Sequence, residues 1–115
     1  MEVHIGPGQA PRLVEEDDLG RFRVVAAADA ASLPRLASEL EGVLEFSGPD
    51  AAWVSVGWIL AATGHAASDE WRAGFEAMKA FATKHGWTRD EPPALRGHVV
   101  WRDEAAASAG PGGAD

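Results

Sequence analysis

The sequence contains no cysteine, so disulfides, thiol nucleophiles and thiolate metal ligands are all excluded. It also has no surplus of positive charge, because 18 acidic residues outnumber 10 Lys and Arg and give a formal net charge of −8. Nucleic acid requires positive charge to neutralise its phosphates. The composition therefore argues against thiol chemistry and against nucleic acid as a partner.

Signals for export or membrane insertion are also missing from the sequence. The segment 1–4 shows no basic region followed by an apolar core, so no signal peptide is visible. The longest apolar stretch, residues 51–63, is interrupted by Ser55 and Gly57 and is too short to span a bilayer. We therefore expect a cytoplasmic protein with no membrane partner.

No familiar catalytic or cofactor-binding signature occurs in the chain. There is no Walker A loop, no GxGxxG fingerprint and no GxSxG nucleophile elbow. The first and last predicted strands also lack the paired aromatics of an RNA-recognition motif. The sequence thus predicts no cofactor and names no reaction.

The chain of 115 residues fits one domain. We predict an N-terminal segment over residues 1–19, with a short edge strand at 2–5 and an acidic loop at 15–18. A single α+β domain is predicted for residues 20–102. Residues 103–115 are small, polar and rich in Gly and Pro, which predicts a disordered tail.

Period-two alternation and short apolar runs predict four strands in the domain, at residues 21–28, 43–47, 52–62 and 96–102. The third of these is apolar on both of its faces. Either Trp53 or Trp58 would then point to an open face of the sheet. An exposed aromatic beside arginines is typical of a recognition surface.

Two helices are predicted between these strands. Ser32 and Pro34 begin a helix over 32–42, which Gly42 ends. Ser68 begins a second helix over 68–85, followed by Gly86. Residues at helical spacing on the second helix predict a buried stripe, to which Trp87 adds a contact after the helix end; they are Trp71, Phe75, Met78, Phe81 and Ala82.

The order strand, helix, strand, strand, helix, strand predicts a ferredoxin-like βαββαβ fold. It would have a four-stranded antiparallel sheet with both helices on one face. Right-handed crossovers would put the first and third strands in the centre and the fourth beside the first. This fold hosts many unrelated functions, so function must come from a site.

Basic residues collect on the polar face of two predicted strands. The last strand contributes Arg96, His98 and Arg102, and its predicted neighbour contributes Arg21 and Arg23. Like charges that face each other across strands are unfavourable, so something should neutralise them. Because exposed arginine stems also cover apolar sheet surface, the cluster does not by itself require a function.

Three sources of negative charge could neutralise this cluster. One is a bound carboxylate or phosphate held by the arginines. Another is the acids of the chain itself, at residues 15–18 or at Asp103 and Glu104. The third is an acidic surface on a protein partner.

Histidine supplies the only candidate catalytic residues. His98 lies among the arginines, and His65 precedes Asp69 at the start of the second helix. Histidine titrates near neutrality and suits proton transfer. A metal site requires three or more placed ligands, so we predict none.

Two functional hypotheses follow. The first is a small non-catalytic binding or accessory protein that uses its sheet face for a protein partner or for self-association. Its binding residues would be Arg21, Arg23, Arg96, His98, Arg102, Trp53 and Trp58, and it would form a homodimer or bind an acidic protein. The alternative is a cofactor-independent enzyme acting on a small organic acid in a dimeric α/β-barrel-like arrangement. There the arginines would hold a carboxylate ligand and His98 or His65 would move a proton.

Overall fold

The structure is a computed structural model that describes residues 1–16, 18–64 and 68–102. Within these residues it is an α+β protein with seven strands and three α-helices. The strands are β1 (Glu2–Gly6), β2 (Gln9–Val14), β3 (Arg23–Ala26), β4 (Leu44–Phe46), β5 (Ala51–Ser55), β6 (Thr88–Asp90) and β7 (Pro93–Trp101). The helices are α1 (Leu33–Glu39), α2 (Val56–Ala62) and α3 (Asp69–Lys84), and a 3₁₀ turn at Ala30–Ser32 precedes α1.

The N-terminal segment contributes a β-hairpin to the main sheet. Gly8 adopts a φ of 70° in its turn, a conformation that favours glycine, and β1 pairs antiparallel with β2. β1 also pairs with β3 in parallel, so it lies inside the sheet rather than at its edge. The division of the chain into segment, domain and tail stays a prediction, and residues 103–115 lie outside the described residues.

The predicted four-stranded antiparallel sheet is wrong. The strand order is β2-β1-β3-β7-β5-β4, and the β1–β3 and β3–β7 pairs are parallel. One cause is β6, which sequence patterning did not predict. β6 follows α3 and forms an antiparallel hairpin with β7, so the chain reverses its direction before it enters β7. A strand that followed α3 directly would run the opposite way.

The predicted strand over residues 52–62 is wrong in its second half, which forms α2. Ser55 ends β5 and caps the helix, because its hydroxyl accepts the backbone N–H of Trp58 at 3.1 Å. The apolar residues that follow recur at helical spacing, and Ile59 is fully buried. Helix α2 therefore takes the second half of the predicted central strand, and the first half remains in the sheet as β5.

The sheet curls around α2 into a half-barrel. Helix α2 packs against β5 and β7 and also against β2. In a flat sheet β2 would lie four strand spacings from β5, about 19 Å away. A helix of seven residues contacts both only because the sheet is strongly curved.

All three helices contribute to one core on the same face of the sheet. The two predicted helices are confirmed as α1 and α3, and Gly42 and Gly86 follow them with φ of 88° and 74°. The strands contribute alternate residues to this core, and the helices cover them with Leu36, Leu40, Ile59, Trp71 and Phe75. Within the described part of the chain, no helix is long and apolar enough to cross a membrane.

One edge of β7 is shared by two short strands that lie end to end. β5 occupies the other edge, opposite residues 94–98. β6 pairs with residues 93–95 and β3 pairs with residues 98–101. The sheet is therefore interrupted beside Arg96 and Gly97, and the candidate site lies at this interruption.

Candidate functional site

A cleft of about 810 Å³ opens at the interruption between β3 and β6. Its walls are the segment 19–22, the C-terminal half of α3 and the adjoining part of β7. Most of the surface is apolar, and the charged groups are few. The lining residues are Leu19, Gly20, Arg21, Phe22, Asp50, Ala51, Gly74, Ala77, Met78, Phe81, Ala82, Trp87, Leu95, Arg96, Gly97 and His98.

The apolar stripe of α3 is covered along only half of its length. Trp71 and Phe75 are buried and their rings stack at 5.0 Å. Beyond them, Phe81 and Trp87 line the cleft and are 58% and 39% exposed. The prediction that these two aromatics belong to the core is therefore wrong, because both side chains face the cleft.

The end of α3 holds Trp87 in a fixed position. Gly86 donates its N–H to the carbonyl of Thr83 at 3.1 Å, and Trp87 donates to that of Ala82 at 2.9 Å. This pair of bonds is a Schellman motif. The indole also stacks on His85 at 4.6 Å and meets the Phe81 ring edge-on at 6.3 Å. Backbone hydrogen bonds and ring contacts therefore both position this exposed indole.

Glycines on two elements allow the segment 19–22 to pack closely against them. A Cβ added at Gly74 would lie 2.6 Å from Cδ1 of Leu19. One added at Gly97 would lie 3.0 Å from the Phe22 ring. The amino group of Met1 also donates to the carbonyls of Asp18 and Arg21, the latter at 2.7 Å. Contacts on both sides therefore hold this wall.

The residues of the predicted basic cluster differ in their partners, because Arg23 is bound by an acid of the chain whereas others have no acidic partner among the described residues. At one end, Glu2 accepts from Nε of Arg23 at 2.7 Å and lies 2.8 Å from the ring of His4. The hydrogen bond with His4 and the adjacent Arg23 lower the pKa of Glu2. Glu2 is not one of the acids that the sequence suggested as partners of the cluster.

The acids considered from the sequence do not pair with the cluster in the described structure. The carboxylate of Glu16 accepts from the Thr63 hydroxyl at 2.5 Å and from the Gly64 N–H at 3.1 Å. It therefore joins the segment after β2 to the end of α2. Asp17, Asp103 and Glu104 lie outside the described residues.

The cleft is lined by three exposed residues of the predicted basic cluster, Arg21, Arg96 and His98. Within residues 1–16, 18–64 and 68–102, no acid forms an ion pair with any of them. Arg102 is also exposed but lies outside the cleft, and its backbone N–H donates to Ala26. Three of the predicted binding residues thus line the same cleft.

Neither candidate tryptophan forms an open apolar face. Trp53 pairs with Arg96 in the register of β5 and β7, and the guanidinium of Arg89 lies 5.4 Å from its ring. Arg89 also binds Glu45 at 2.7 Å, so this indole is covered by an ion pair. Trp58 lies on α2 and is half-buried against the core. The homodimer stays a prediction, but the two-faced apolar strand on which it rested does not exist.

The other proposed catalytic residue, His65, lies outside the described residues. His98 shares the cleft with Asp50, whose carbonyl accepts the N–H of Val99 at 2.8 Å. In the part of the chain that the structure describes, no three His, Asp or Glu side chains are grouped to hold a metal ion. The cleft therefore offers ion pairing, hydrogen bonding and apolar contact.

Sequence patterning identified the cationic rim but missed the apolar walls. Phe81 and Trp87 carry a signal for an apolar helix face, and that signal is the same for a buried stripe as for an open one. Phe22 lies in the predicted strand over residues 21–28 and Leu19 in the predicted N-terminal segment, and neither pattern indicates contacts with the distant glycines Gly97 and Gly74.

No known family model, curated protein or solved structure matches this chain. Function is therefore argued from the geometry and chemistry of the cleft.

Proposed function

We propose that the protein is a non-catalytic binding protein whose cleft takes up a small organic molecule with an apolar body. The observation that carries this proposal is that the two exposed large apolar side chains of the described chain, Phe81 and Trp87, lie in the same cleft. A volume of about 810 Å³ falls within the usual range of small-molecule sites.

The exposed wall is not required to hold α3 in place. Trp71 and Phe75 already anchor the helix in the core, and the Gly86 cap ends it. Apolar surface left in water forfeits roughly 25 cal/mol per Å². A ligand lying between Phe81 and the opposite wall would recover that free energy, and Met78 can adapt its shape to such a ligand.

Blocking the cleft tests the proposal. Ala77 is exposed and lines the cleft, so Ala77→Trp should fill it without disturbing the core. Ala73 lies one turn earlier on the same helix, is exposed and does not line the cleft, so Ala73→Trp is the matched control. The probe is Nile red, an uncharged dye whose fluorescence rises in apolar surroundings.

The wild-type protein and Ala73→Trp should bind Nile red with the same affinity, and Ala77→Trp should lose at least about tenfold, or 1.4 kcal/mol. Circular dichroism and the melting temperature show whether each variant remains folded. Absence of saturable binding to the wild-type protein, or equal binding to both variants, contradicts the proposal.

A cofactor-independent enzyme acting on a small organic acid is the second candidate. It is favoured by one observation, that Asp50 lines the same cleft as His98 and supplies a second titratable group. Phenylpyruvate is a suitable probe, because its C3 protons exchange with deuterium when a base removes one of them. Proton NMR in D₂O should show exchange faster than without protein, lost in His98→Ala and retained in His4→Ala. An unchanged exchange rate rejects this candidate.

A further inference from the structure

We infer that the ligand of the cleft is an organic monocarboxylate, whose charge is bound by Arg21 and Arg96 while its apolar body lies along Phe81 and Trp87. This inference rests on the proposed function, since it names the chemical class that the same cleft selects. It is carried by a difference among the arginines of this surface.

Arginines on either side of the cleft rim already have acidic partners. Arg23 is bound by Glu2 at 2.7 Å, and Arg89 by Glu45 at 2.7 Å. Arg21 and Arg96 have no such partner among the described residues, although the chain carries eight more acids than bases. Among the described residues, the acids that form ion pairs on this surface are therefore bound to Arg23 and Arg89 and not to these two guanidinium groups.

Two guanidinium groups that line one cleft, and that have no ion-pair partner among the described residues, favour an anion in that cleft. A negative group bound there would stabilise both positive charges. Guanidinium groups match carboxylates through paired N–H donors, and such charge-assisted hydrogen bonds are among the stronger ones. His98 can add a donor or an acceptor, depending on its tautomer.

The remaining charged group of the cleft favours a monoanion over a dianion. Asp50 lines the cleft and has no ion pair among the described residues. Two arginines and one aspartate leave a net charge of about +1, which a carboxylate neutralises. A phosphate dianion would exceed this positive charge by one.

The apolar walls exclude a purely polar anion as the preferred ligand. Phe81 and Trp87 lie in the same cleft as the arginines, and Leu19, Phe22 and Leu95 add further apolar surface. A free inorganic ion would leave these walls in water. An acid with a chain or a ring satisfies both parts of the site, since each part then has its chemical complement.

Three ligands with the same alkyl chain test the inference: octanoate, octanamide and octyl phosphate. Calorimetric titration measures their affinities for the wild-type protein, Arg21→Gln, Arg96→Gln and Arg12→Gln. Arg12 is an exposed strand residue outside the cleft, so Arg12→Gln makes the same charge change elsewhere. Circular dichroism confirms that each variant is folded.

Octanoate should bind at least about tenfold more tightly than octanamide, and more tightly than octyl phosphate. Arg21→Gln and Arg96→Gln should each weaken octanoate binding at least about fivefold, with octanamide binding and the Arg12→Gln protein unaffected. Added salt should weaken the binding of octanoate and leave the binding of uncharged octanamide unchanged.

Equal affinity for octanoate and octanamide would overturn the inference and leave the proposed function intact, because both would still occupy the cleft. Tighter binding of octyl phosphate would overturn the choice of a monocarboxylate. An equal loss in Arg12→Gln and Arg96→Gln would overturn the assignment of the site. If Nile red and all three ligands fail to bind, the proposed function itself fails.

Discussion

The two halves of α3 have the same apolar periodicity and opposite surroundings. In the N-terminal half, Trp71 and Phe75 are 5% and 1% exposed and stack on each other within the core. In the C-terminal half, Phe81 is 58% exposed and faces the cleft with Trp87. The first pair holds the fold together, whereas the second pair forms a surface that the fold does not cover.

This difference arises in the sheet rather than in the helix. β3 and β6 meet β7 end to end and leave an interruption beside Arg96 and Gly97. An amphipathic helix that crosses such an interruption loses its cover there. Hydrophobic periodicity thus identifies the apolar face of a helix, and the arrangement of the strands decides whether that face is buried.

The largest expected effect is on stability in the covered half. Phe75→Ala should lower the free energy of unfolding by about 3–5 kcal/mol, because it removes a fully buried ring and leaves a cavity. Phe81→Ala, the same substitution on the same helix, should cost no more than about 0.5 kcal/mol. Urea unfolding measures both. Comparable losses would show that the cleft wall is part of the core.

The tryptophans give a second and smaller contrast. Trp71→Phe should cost about 1–3 kcal/mol, because the buried indole N–H bound to the carbonyl of Glu16 at 2.9 Å is lost. Trp87→Phe should change the free energy of unfolding by less than about 0.5 kcal/mol. Thermal unfolding followed by circular dichroism compares the two. A larger loss for Trp87→Phe would reverse the assignment of the halves.

The cap at the end of α3 should contribute about 1 kcal/mol. Gly86 has a φ of 74°, and a Cβ there would meet no atom within 4 Å, so Gly86→Ala tests backbone conformation alone. Gly57→Ala is the matched control, since Gly57 is an exposed residue inside α2 and should gain stability from the same change. Chemical unfolding should give opposite signs, and a loss at both positions would contradict this account.

The smallest effect on stability is expected among the charged residues, where Glu2 is bonded to Arg23 and His4 whereas Arg21 and Arg96 have no acidic partner among the described residues. The pKa of Glu2 is lowered from 4.5 in the folded protein, so its contribution to stability is present above that value. That contribution disappears as the pH falls through the folded pKa. Glu2→Gln should therefore lose up to about 1 kcal/mol at pH 7, and the difference from wild type should shrink below pH 4.5.

Glu41→Gln serves as the control for this measurement. Glu41 is exposed and has no ion pair among the described residues. Its unfolding curves should follow those of the wild-type protein at every pH. A difference between wild type and Glu2→Gln that is independent of pH would show that the Arg23 and His4 contacts do not lower the pKa of Glu2.

Local signals in the sequence predicted the elements that local signals control. Ser68 caps α3 through the N–H of Trp71, and Gly42 and Gly86 follow the helices where predicted. Ser55 is also an N-cap, but the apolar residues on both sides of it also fit a single strand. That ambiguity, the missed β6 and the unpredicted insertion of the β1–β2 hairpin beside β3 together gave the wrong sheet.

The candidate site was predictable in its charges and not in its shape. Arg96 and His98 follow from strand alternation, and the register with β3 places Arg23 beside His98. The cleft depends instead on contacts between distant segments, such as Leu19 with Gly74 and Phe22 with Gly97. No local pattern encodes such pairs, because each residue appears unremarkable until its partner is known.

The most direct test of the central claim, that the cleft binds the ligand, is to observe its tryptophan. The chain has five tryptophans, and Trp87 lines the cleft whereas Trp71 is buried in the core. In ¹H–¹⁵N spectra the indole N–H signals can be assigned with Trp87→Phe and Trp71→Phe. On titration with octanoate, the Trp87 signal should shift saturably and the Trp71 signal should stay in place. No shift of the Trp87 signal, or a larger shift of the Trp71 signal, would contradict the account.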